Sequence, residues 1–180
     1  MHDMLMTNKK NIYLWTGNGW GKTTSALGVS LRAIGHGHKI IIIQFMKGWK
    51  NTGEYLIRKR LKPNYEIYQF GRKEFVNLDN PSERDKELAR KGFEFAKEAL
   101  KRKPNLLILD EINLAVKTGL LDVDEVLDFL DRVPKNVAVY LTGRYAPKKL
   151  VERADYVTEI KAVKHPLLKR TDKPKKGIDY

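Results

Sequence analysis

The chain has 180 residues, 42% of them hydrophobic, with no cysteine and a formal net charge of +13 at pH 7. That length suits one compact α/β domain, and the apolar content excludes a disordered chain. The lack of cysteine excludes disulfides, thiolate metal sites and thiol catalysis. No apolar run approaches the roughly 20 residues of a membrane helix, and the N-terminus lacks the apolar core of a signal peptide. These features predict a cytoplasmic protein.

The positive charge is concentrated in two stretches. Residues 47–73 contain eight basic and two acidic residues, and residues 161–176 contain seven basic residues and one acidic residue, Asp172. Such stretches attract polyanions, which leaves both a nucleotide triphosphate and a nucleic acid open as partners. A solvated, lysine-rich surface would have the same composition.

Apolar strand patterns alternate with helical patterns along the chain, which is typical of βα units around a mainly parallel sheet. The predicted strands lie at residues 11–16, 39–45, 65–70, 106–110, 137–142 and 156–161. A helical run follows the first strand. Asn80 and Glu83 have the spacing of a capping box and predict the start of a helix that runs to about Lys103. Asp122 and Glu125 have the same spacing and predict another helix start.

The chain contains no internal repeat and no low-complexity linker, so residues 1–180 are predicted to form one α/β domain with helices on both faces of the sheet. Residues 1–10 are an N-terminal extension of that domain. Residues 164–180 are basic, contain two prolines and form a C-terminal tail.

The most specific signal is a glycine-rich loop between the first strand and the first helix. It reads Thr16-Gly17-Asn18-Gly19-Trp20-Gly21-Lys22-Thr23-Thr24. Glycines let successive backbone N–H groups turn toward phosphate oxygens, and the helix that follows presents its positive end to the same anion. Lys22 supplies a cation, and the Thr23 hydroxyl is a ligand for Mg²⁺. The sequence therefore predicts a phosphate-binding loop, one residue shorter than the standard one.

Two carboxylates, Asp110 and Glu111, end the strand at 106–110. Ligands of open parallel sheets collect beyond the carboxyl ends of the strands, so we expect both side chains near the glycine-rich loop. Because Mg²⁺ prefers oxygen ligands, either carboxylate is a candidate to hold it together with Thr23. Arg144 follows the fifth strand and is a candidate contact for the phosphates, although an exposed arginine after a turn is an equally good interpretation.

These motifs, in this order, resemble the P-loop ATP:corrinoid adenosyltransferases. The resemblance extends from about Ile12 to Tyr180. Besides the glycine-rich loop, the matching segments are RAIGHG at 32–37, QFMKG at 44–48, Gly53-Glu54, LDEI at 109–112, LTGR at 141–144, Ala154-Asp155, VKHP at 163–166 and GIDY at 177–180.

The resemblance implies a RecA-like fold, a homodimer, and transfer of the 5′-deoxyadenosyl group of ATP to the Co(I) of a reduced corrinoid, with triphosphate as the leaving group. The expected cofactors are ATP and Mg²⁺, and the corrinoid is the substrate. Lys22 and Glu111 are then the expected catalytic residues, and no general base is needed because the nucleophile comes with the substrate. A reductase or flavoprotein is the expected electron donor.

Two segments depart from the family pattern. Trp20 stands where the family usually has lysine. The aromatic loop that crowds the lower face of the corrin ring in relatives corresponds to residues 70–75, where Phe75 is the first candidate and Phe70 the second. The competing interpretation is a phenylalanine buried in the core beneath that loop.

Two other functions are compatible with the sequence. The positive charge, and Glu111 directly after Asp110, also fit a RecA-like, nucleic-acid-binding ATPase in which Glu111 polarises a water molecule. The third hypothesis is an ATP-binding regulatory subunit without turnover. The products separate the three: triphosphate for the transferase, ADP and phosphate for the ATPase, and no product for the regulatory subunit.

Overall fold

The computed structural model describes residues 11–164 and 174–178. Six strands form one parallel sheet in the order β3-β2-β4-β5-β1-β6. The predicted N-terminal extension and most of the predicted basic tail lie outside the described residues. The strands are β1 (Ile12–Thr16), β2 (Ile40–Phe45), β3 (Tyr65–Phe70), β4 (Leu106–Asp110), β5 (Ala138–Thr142) and β6 (Tyr156–Glu159).

Helices connect the strands, and none in the described part of the chain combines the length and the hydropathy needed to cross a bilayer. A single 3₁₀ turn (Ile57–Lys59) extends the second helix. The helices are α1 (Lys22–Gly35), α2 (Gly53–Leu56), α3 (Glu83–Lys101), α4 (Ile112–Lys117), α5 (Val123–Asp131) and α6 (Lys148–Arg153).

The sheet is covered on both faces, which confirms the predicted RecA-like α/β class. Alternate residues of a strand point to opposite faces, so Ile41 and Ile43 pack with α3 to α6, whereas Ile40 and Ile42 pack with α1. Because β2 and β4 are buried on both faces, every residue of each strand is buried. All six predicted strands are confirmed, with ends shifted by at most two residues.

The start of α3 differs from the prediction. Ser82, not Asn80, is the N-cap: its hydroxyl accepts the Asp85 N–H at 3.2 Å, and the Asp85 carboxylate accepts the Ser82 N–H at 3.1 Å. Asn80 instead lies in a turn, where its N–H donates to Asn77 Oδ1 at 3.3 Å. The capping box predicted from Asn80 is therefore wrong by two residues, because Ser82 and Asp85 form the same reciprocal pair closer to the helix.

Candidate active site

The glycine-rich loop leaves the end of β1 and enters α1 directly. Gly17 and Gly21 have φ angles of +96° and +105°, which strain any residue with a side chain. The Gly19 N–H donates to the Ile160 carbonyl at 2.8 Å. A Cβ on Gly17 would lie 2.3 Å from the Ile160 oxygen. The segment after β6 thus packs directly on the loop, and glycine is required where the two backbones touch.

Gly17→Ala should lower both stability and nucleotide affinity, because the new Cβ overlaps a backbone carbonyl and the φ angle is unfavourable. We expect a loss of roughly 1–3 kcal/mol in the free energy of unfolding. Thermal melting and calorimetry with ATP measure the two effects. The matched control is Gly28→Ala, since a Cβ there meets nothing within 4 Å in the middle of α1. Equal melting temperatures and ATP affinities in the two variants would contradict the requirement for glycine at position 17.

Lys22, the first residue of α1, is 7% exposed and curls back over the loop. Its ammonium donates to the Gly19 carbonyl at 2.5 Å. Burial is the main cause that lowers the pKa of Lys22, and Glu111 opposes the shift. The predicted phosphate-binding lysine therefore lies inside the curve of the loop, where it faces any anion held by the loop amides.

The outer residues of the loop are partly tied to other segments. Thr16 Oγ1 accepts the Ala146 N–H at 3.2 Å, and Asn18 Oδ1 accepts the Ala162 N–H at 3.0 Å. Trp20 is 54% exposed and Thr24 is exposed. Thr16 and Asn18 thus anchor the loop, whereas the Trp20 ring is left on the surface beside it.

Asp110 lies at the end of β4 and is 1% exposed. Its Oδ1 accepts the hydroxyls of Thr23 at 2.8 Å and Thr142 at 2.6 Å, and its Oδ2 accepts Gln44 Nε2 at 3.0 Å and Lys47 Nζ at 2.6 Å. Burial alone would raise the pKa of Asp110, but the Lys47 ammonium and the hydrogen bonds hold it below its usual value. A carboxylate has about four acceptor sites, so all of them are engaged.

Glu111 differs from its neighbour. It has a φ of +65°, its N–H donates to Thr142 Oγ1 at 3.1 Å, and its Oε2 is buried without a hydrogen-bond partner. Burial, and then the Asp110 charge, raise the pKa of Glu111. The sequence left Asp110 and Glu111 open as direct metal ligands. The geometry favours Glu111, which has an oxygen to offer.

Arg144 is exposed and follows Gly143 at the end of β5. Asn113 Nδ2 donates to the Trp15 carbonyl at 3.0 Å and to the Gly143 carbonyl at 3.2 Å, which ties the end of β1 to this turn. The Arg144 charge is among those that lower the pKa of buried Lys22, after burial itself. The structure therefore brings the predicted phosphate contact to the same edge of the sheet as the glycine-rich loop.

The two aromatic candidates have different environments. Phe70 packs on Phe95 of α3, with ring centroids 5.5 Å apart, and so belongs to the core. Phe75 is 85% exposed and meets Trp49 edge-to-face, with centroids 5.2 Å apart. The Trp49 indole N–H donates to the Lys73 carbonyl at 2.7 Å. The core interpretation is wrong for Phe75 and applies to Phe70 instead.

The aromatic pair is held by two loops that cross closely. A Cβ on Gly71 would lie 2.2 Å from the carbonyl carbon of Met46, and one on Gly48 would lie 2.6 Å from the carbonyl carbon of Arg72. Arg72 in turn makes a two-point ion pair with Asp85 at 2.9 and 3.0 Å, next to the start of α3. The close loop crossing and the ion pair between Arg72 and Asp85 thus hold the segments that carry Trp49 and Phe75 in place.

Comparison with known proteins identifies the family. The family model described as ATP:corrinoid adenosyltransferase BtuR/CobO/CobP matches residues 8–180. This chain belongs to that family. Proteins named corrinoid adenosyltransferase are 38% identical in a Sinorhizobium species, 36% in Pseudomonas aeruginosa and 35% in Escherichia coli K12. These alignments cover 92%, 92% and 94% of this chain, and 78%, 81% and 85% of the relatives.

Some residues of the candidate site were not assigned a role from the sequence. Gln44 and Lys47 attract attention only as polar residues after a strand, and Trp49 and Asn113 have no sequence signal of their own. Gln69 Nε2 donates to Gln44 Oε1 at 2.9 Å and to the Trp49 carbonyl at 3.1 Å. Gln69, Gln44, Asp110 and Thr142 form a polar row along the carboxyl ends of β3, β2, β4 and β5, and the Trp49 carbonyl joins this row to the aromatic pair.

Proposed function

We propose that this protein transfers the 5′-deoxyadenosyl group of ATP to the Co(I) of a reduced corrinoid and releases triphosphate, in the biosynthesis or salvage of adenosylcobalamin. The observation that carries the proposal is the family match over residues 8–180. In the reaction the cobalt supplies the electron pair of the new cobalt–carbon bond. The C5′–oxygen bond breaks, and its electrons leave with the triphosphate.

The chain's own residues bind and orient ATP and stabilise the charge of the leaving group. The amides of the glycine-rich loop and the N-terminus of α1 face the phosphates, and Lys22 adds a buried positive charge. Arg144 supplies a second, exposed cation from the end of β5. No side chain has to remove a proton, because the cobalt nucleophile arrives with the corrinoid. Positioning and electrostatics are therefore sufficient.

The residues present fit a magnesium ion. The unpartnered, buried Oε2 of Glu111 and the Thr23 hydroxyl are oxygen ligands at the edge of the loop. Mg²⁺ keeps several waters and takes oxygens from phosphates, so two protein ligands suit it. When bound, it would neutralise charge on the departing triphosphate. Glu111 and Thr23 hold it in this proposal, and Lys22 acts on the phosphates directly.

The corrinoid would lie against the aromatic pair of Trp49 and Phe75. Both rings are exposed on loops at the carboxyl ends of β2 and β3, the same edge that carries the polar row. An exposed apolar side chain can occupy the lower face of the corrin ring without coordinating cobalt, which makes Co(II) easier to reduce. Binding residues commonly lie on loops that a rigid scaffold positions, as these two loops are.

Phe75→Ala should slow adenosylation roughly tenfold when the assay starts from Co(II) with a mild reductant, about 1.4 kcal/mol at the barrier. With preformed Co(I) the defect should be much smaller, because no ligand has to be displaced. Rates from the alkyl-cobalt absorbance measure both. Leu78→Ala, which shortens another exposed side chain of the same loop, is the control. Equal losses from Co(II) and Co(I), with a lowered melting temperature, would show a structural role only.

The nucleic-acid-binding ATPase remains the second candidate, because the charge of +13 favours polyanions. Chromatography of the nucleotide products separates the two functions. The proposal predicts triphosphate that forms only when reduced corrinoid is present. ADP and phosphate formed without corrinoid, together with steeply salt-dependent binding to DNA or RNA, would contradict the transferase and support the nucleic-acid-binding ATPase. The homodimer, the electron donor, the cytoplasmic location and the one-domain organisation stay predictions.

A further inference from the structure

Lys47 makes contacts to which the proposed reaction assigns no role. It follows β2, one residue after Met46, whose φ of +58° turns the chain sharply. Its side chain returns across the carboxyl end of the sheet, and its ammonium lies 2.6 Å from Asp110 Oδ2 and 3.0 Å from Thr23 Oγ1. Phosphate loops commonly use a hydroxyl in the position of Thr23 to hold a metal ion, and carboxylate oxygens are good ligands for Mg²⁺. Here the ammonium lies against both oxygens.

The Lys47 ammonium leaves Asp110 no acceptor site. Each carboxylate oxygen of Asp110 accepts from two donors, and three of the four donors belong to buried or half-buried neutral side chains. A metal ion could reach Asp110 only by displacing at least one of them. Because Lys47 carries the one positive charge among the four, it also balances a buried anion that would otherwise be uncompensated.

Thr23 keeps one free acceptor site. A hydroxyl has one proton and two lone pairs. The proton goes to Asp110 Oδ1 and one lone pair accepts from Lys47, so a single lone pair is left. With Glu111 Oε2, the protein therefore offers two oxygens near the loop. Within residues 11–164 and 174–178, no group of three or more His, Cys, Asp or Glu side chains is placed to hold a metal ion.

We propose that Lys47 is a resident cation that takes the place of a metal ion at Asp110, so that the chain binds a divalent cation only together with ATP. The phosphate oxygens of the nucleotide would complete a ligand set that Thr23 and Glu111 alone leave too small for Mg²⁺. The inference rests on the proposed binding of ATP, but not on adenosyl transfer itself. Lys47 is then a positioning residue, which orients the Thr23 hydroxyl through Asp110.

The test measures Mn²⁺ binding by calorimetry on the full chain, with and without a non-hydrolysable ATP analogue, and without corrinoid. Wild type should bind Mn²⁺ with the analogue present and show no saturable binding at millimolar Mn²⁺ without it. Lys47→Met keeps most of the length of the side chain but removes the charge, and should bind Mn²⁺ without nucleotide at least tenfold more tightly than wild type. At about 100 times the dissociation constant, Mn²⁺ should raise the melting temperature of this variant by several degrees.

Two controls isolate the charge. Lys47→Arg keeps a cation beside Asp110 and should behave as wild type without nucleotide. The double variant Lys47→Met with Asp110→Asn has no uncompensated charge, so it should gain no nucleotide-free site and should keep analogue-dependent Mn²⁺ binding within a few-fold. If Lys47→Met does not fold, the comparison of Mn²⁺ binding between this double variant and wild type still tests the inference.

Either of two results would overturn the inference. The first is saturable Mn²⁺ binding by wild type without nucleotide that Asp110→Asn abolishes. The second is loss of analogue-dependent Mn²⁺ binding in the double variant, which would make Asp110 a direct ligand. If these measurements come out as expected while no adenosyl group reaches cobalt, then the proposed transfer fails and the role of Lys47 stands.

Discussion

Lys22→Ala should lower kcat/KM for adenosyl transfer by about 10²–10³ while the fold stays intact. The Lys22 ammonium is buried over the glycine-rich loop, and in the proposed function it is the positive charge that the loop itself brings to the phosphates. Negative charge develops on the triphosphate as the C5′–oxygen bond breaks, so the loss should be largest in the transition state. Because burial lowers the pKa of Lys22, the fold disfavours its charge, and removing that charge should not reduce stability.

Steady-state rates and thermal melting of the same preparations measure these two effects. Lys101→Ala removes a lysine that pairs with Glu98 on the surface of α3, and it controls for the general loss of positive charge. Lys101→Ala should transfer at the wild-type rate. Near-normal kcat/KM in Lys22→Ala would remove the glycine-rich loop from the mechanism.

Glu111→Gln should lower the rate by about 10², and added Mg²⁺ should restore part of it, because the amide is a weaker ligand than the carboxylate. The same variant should melt at the wild-type temperature or above. Burial and Asp110 raise the pKa of Glu111, which means that the folded state penalises the ionised carboxylate. Above the ordinary pKa of glutamate that penalty lowers stability, and the neutral amide removes it. Loss of activity together with a gain in stability is typical of a substitution at a functional group that is unfavourable for folding.

The control for this variant is Glu98→Gln, which removes an exposed carboxylate on α3. We expect it to change neither the rate nor the magnesium dependence. If wild type releases ADP from ATP without corrinoid as fast as it adenosylates, and Glu111→Gln abolishes that release, then Glu111 activates water and the ATPase hypothesis is correct.

The sheet was predictable because its central strands, β2 and β4, are fully buried and therefore read as short apolar runs. The helices were less predictable from the sequence. α2, α4 and α6 have four to six residues, fewer than two turns, so no helical period can develop in their sequences. For α3, two capping signals lie close together, and only the reciprocal hydrogen bonds of Ser82 and Asp85 identify the real one.

The candidate site was predictable where its residues are contiguous in the sequence. The glycine-rich loop and the Asp110-Glu111 pair each carry their chemistry within a few residues. Lys47 contacts Asp110 across 63 positions, and Trp49 meets Phe75 through loops whose crossing depends on Gly48 and Gly71. Such partners follow from the order of the strands in the sheet, which the local sequence does not encode. Asp110 has no free acceptor site, whereas Glu111 has a buried oxygen without a partner. This difference depends on the side chains that the fold places around each carboxylate, so the sequence could not predict it.

The most direct test of the account is the stoichiometry of transfer. The full chain is incubated without oxygen with ATP, Mg²⁺ and a chemically reduced Co(I) corrinoid, and the alkyl-cobalt spectrum and the nucleotide products are recorded together. The account predicts one triphosphate for each cobalt–carbon bond formed, and the loss of both products in Lys22→Ala. Release of ADP and phosphate, with no change in the cobalt spectrum, would contradict it.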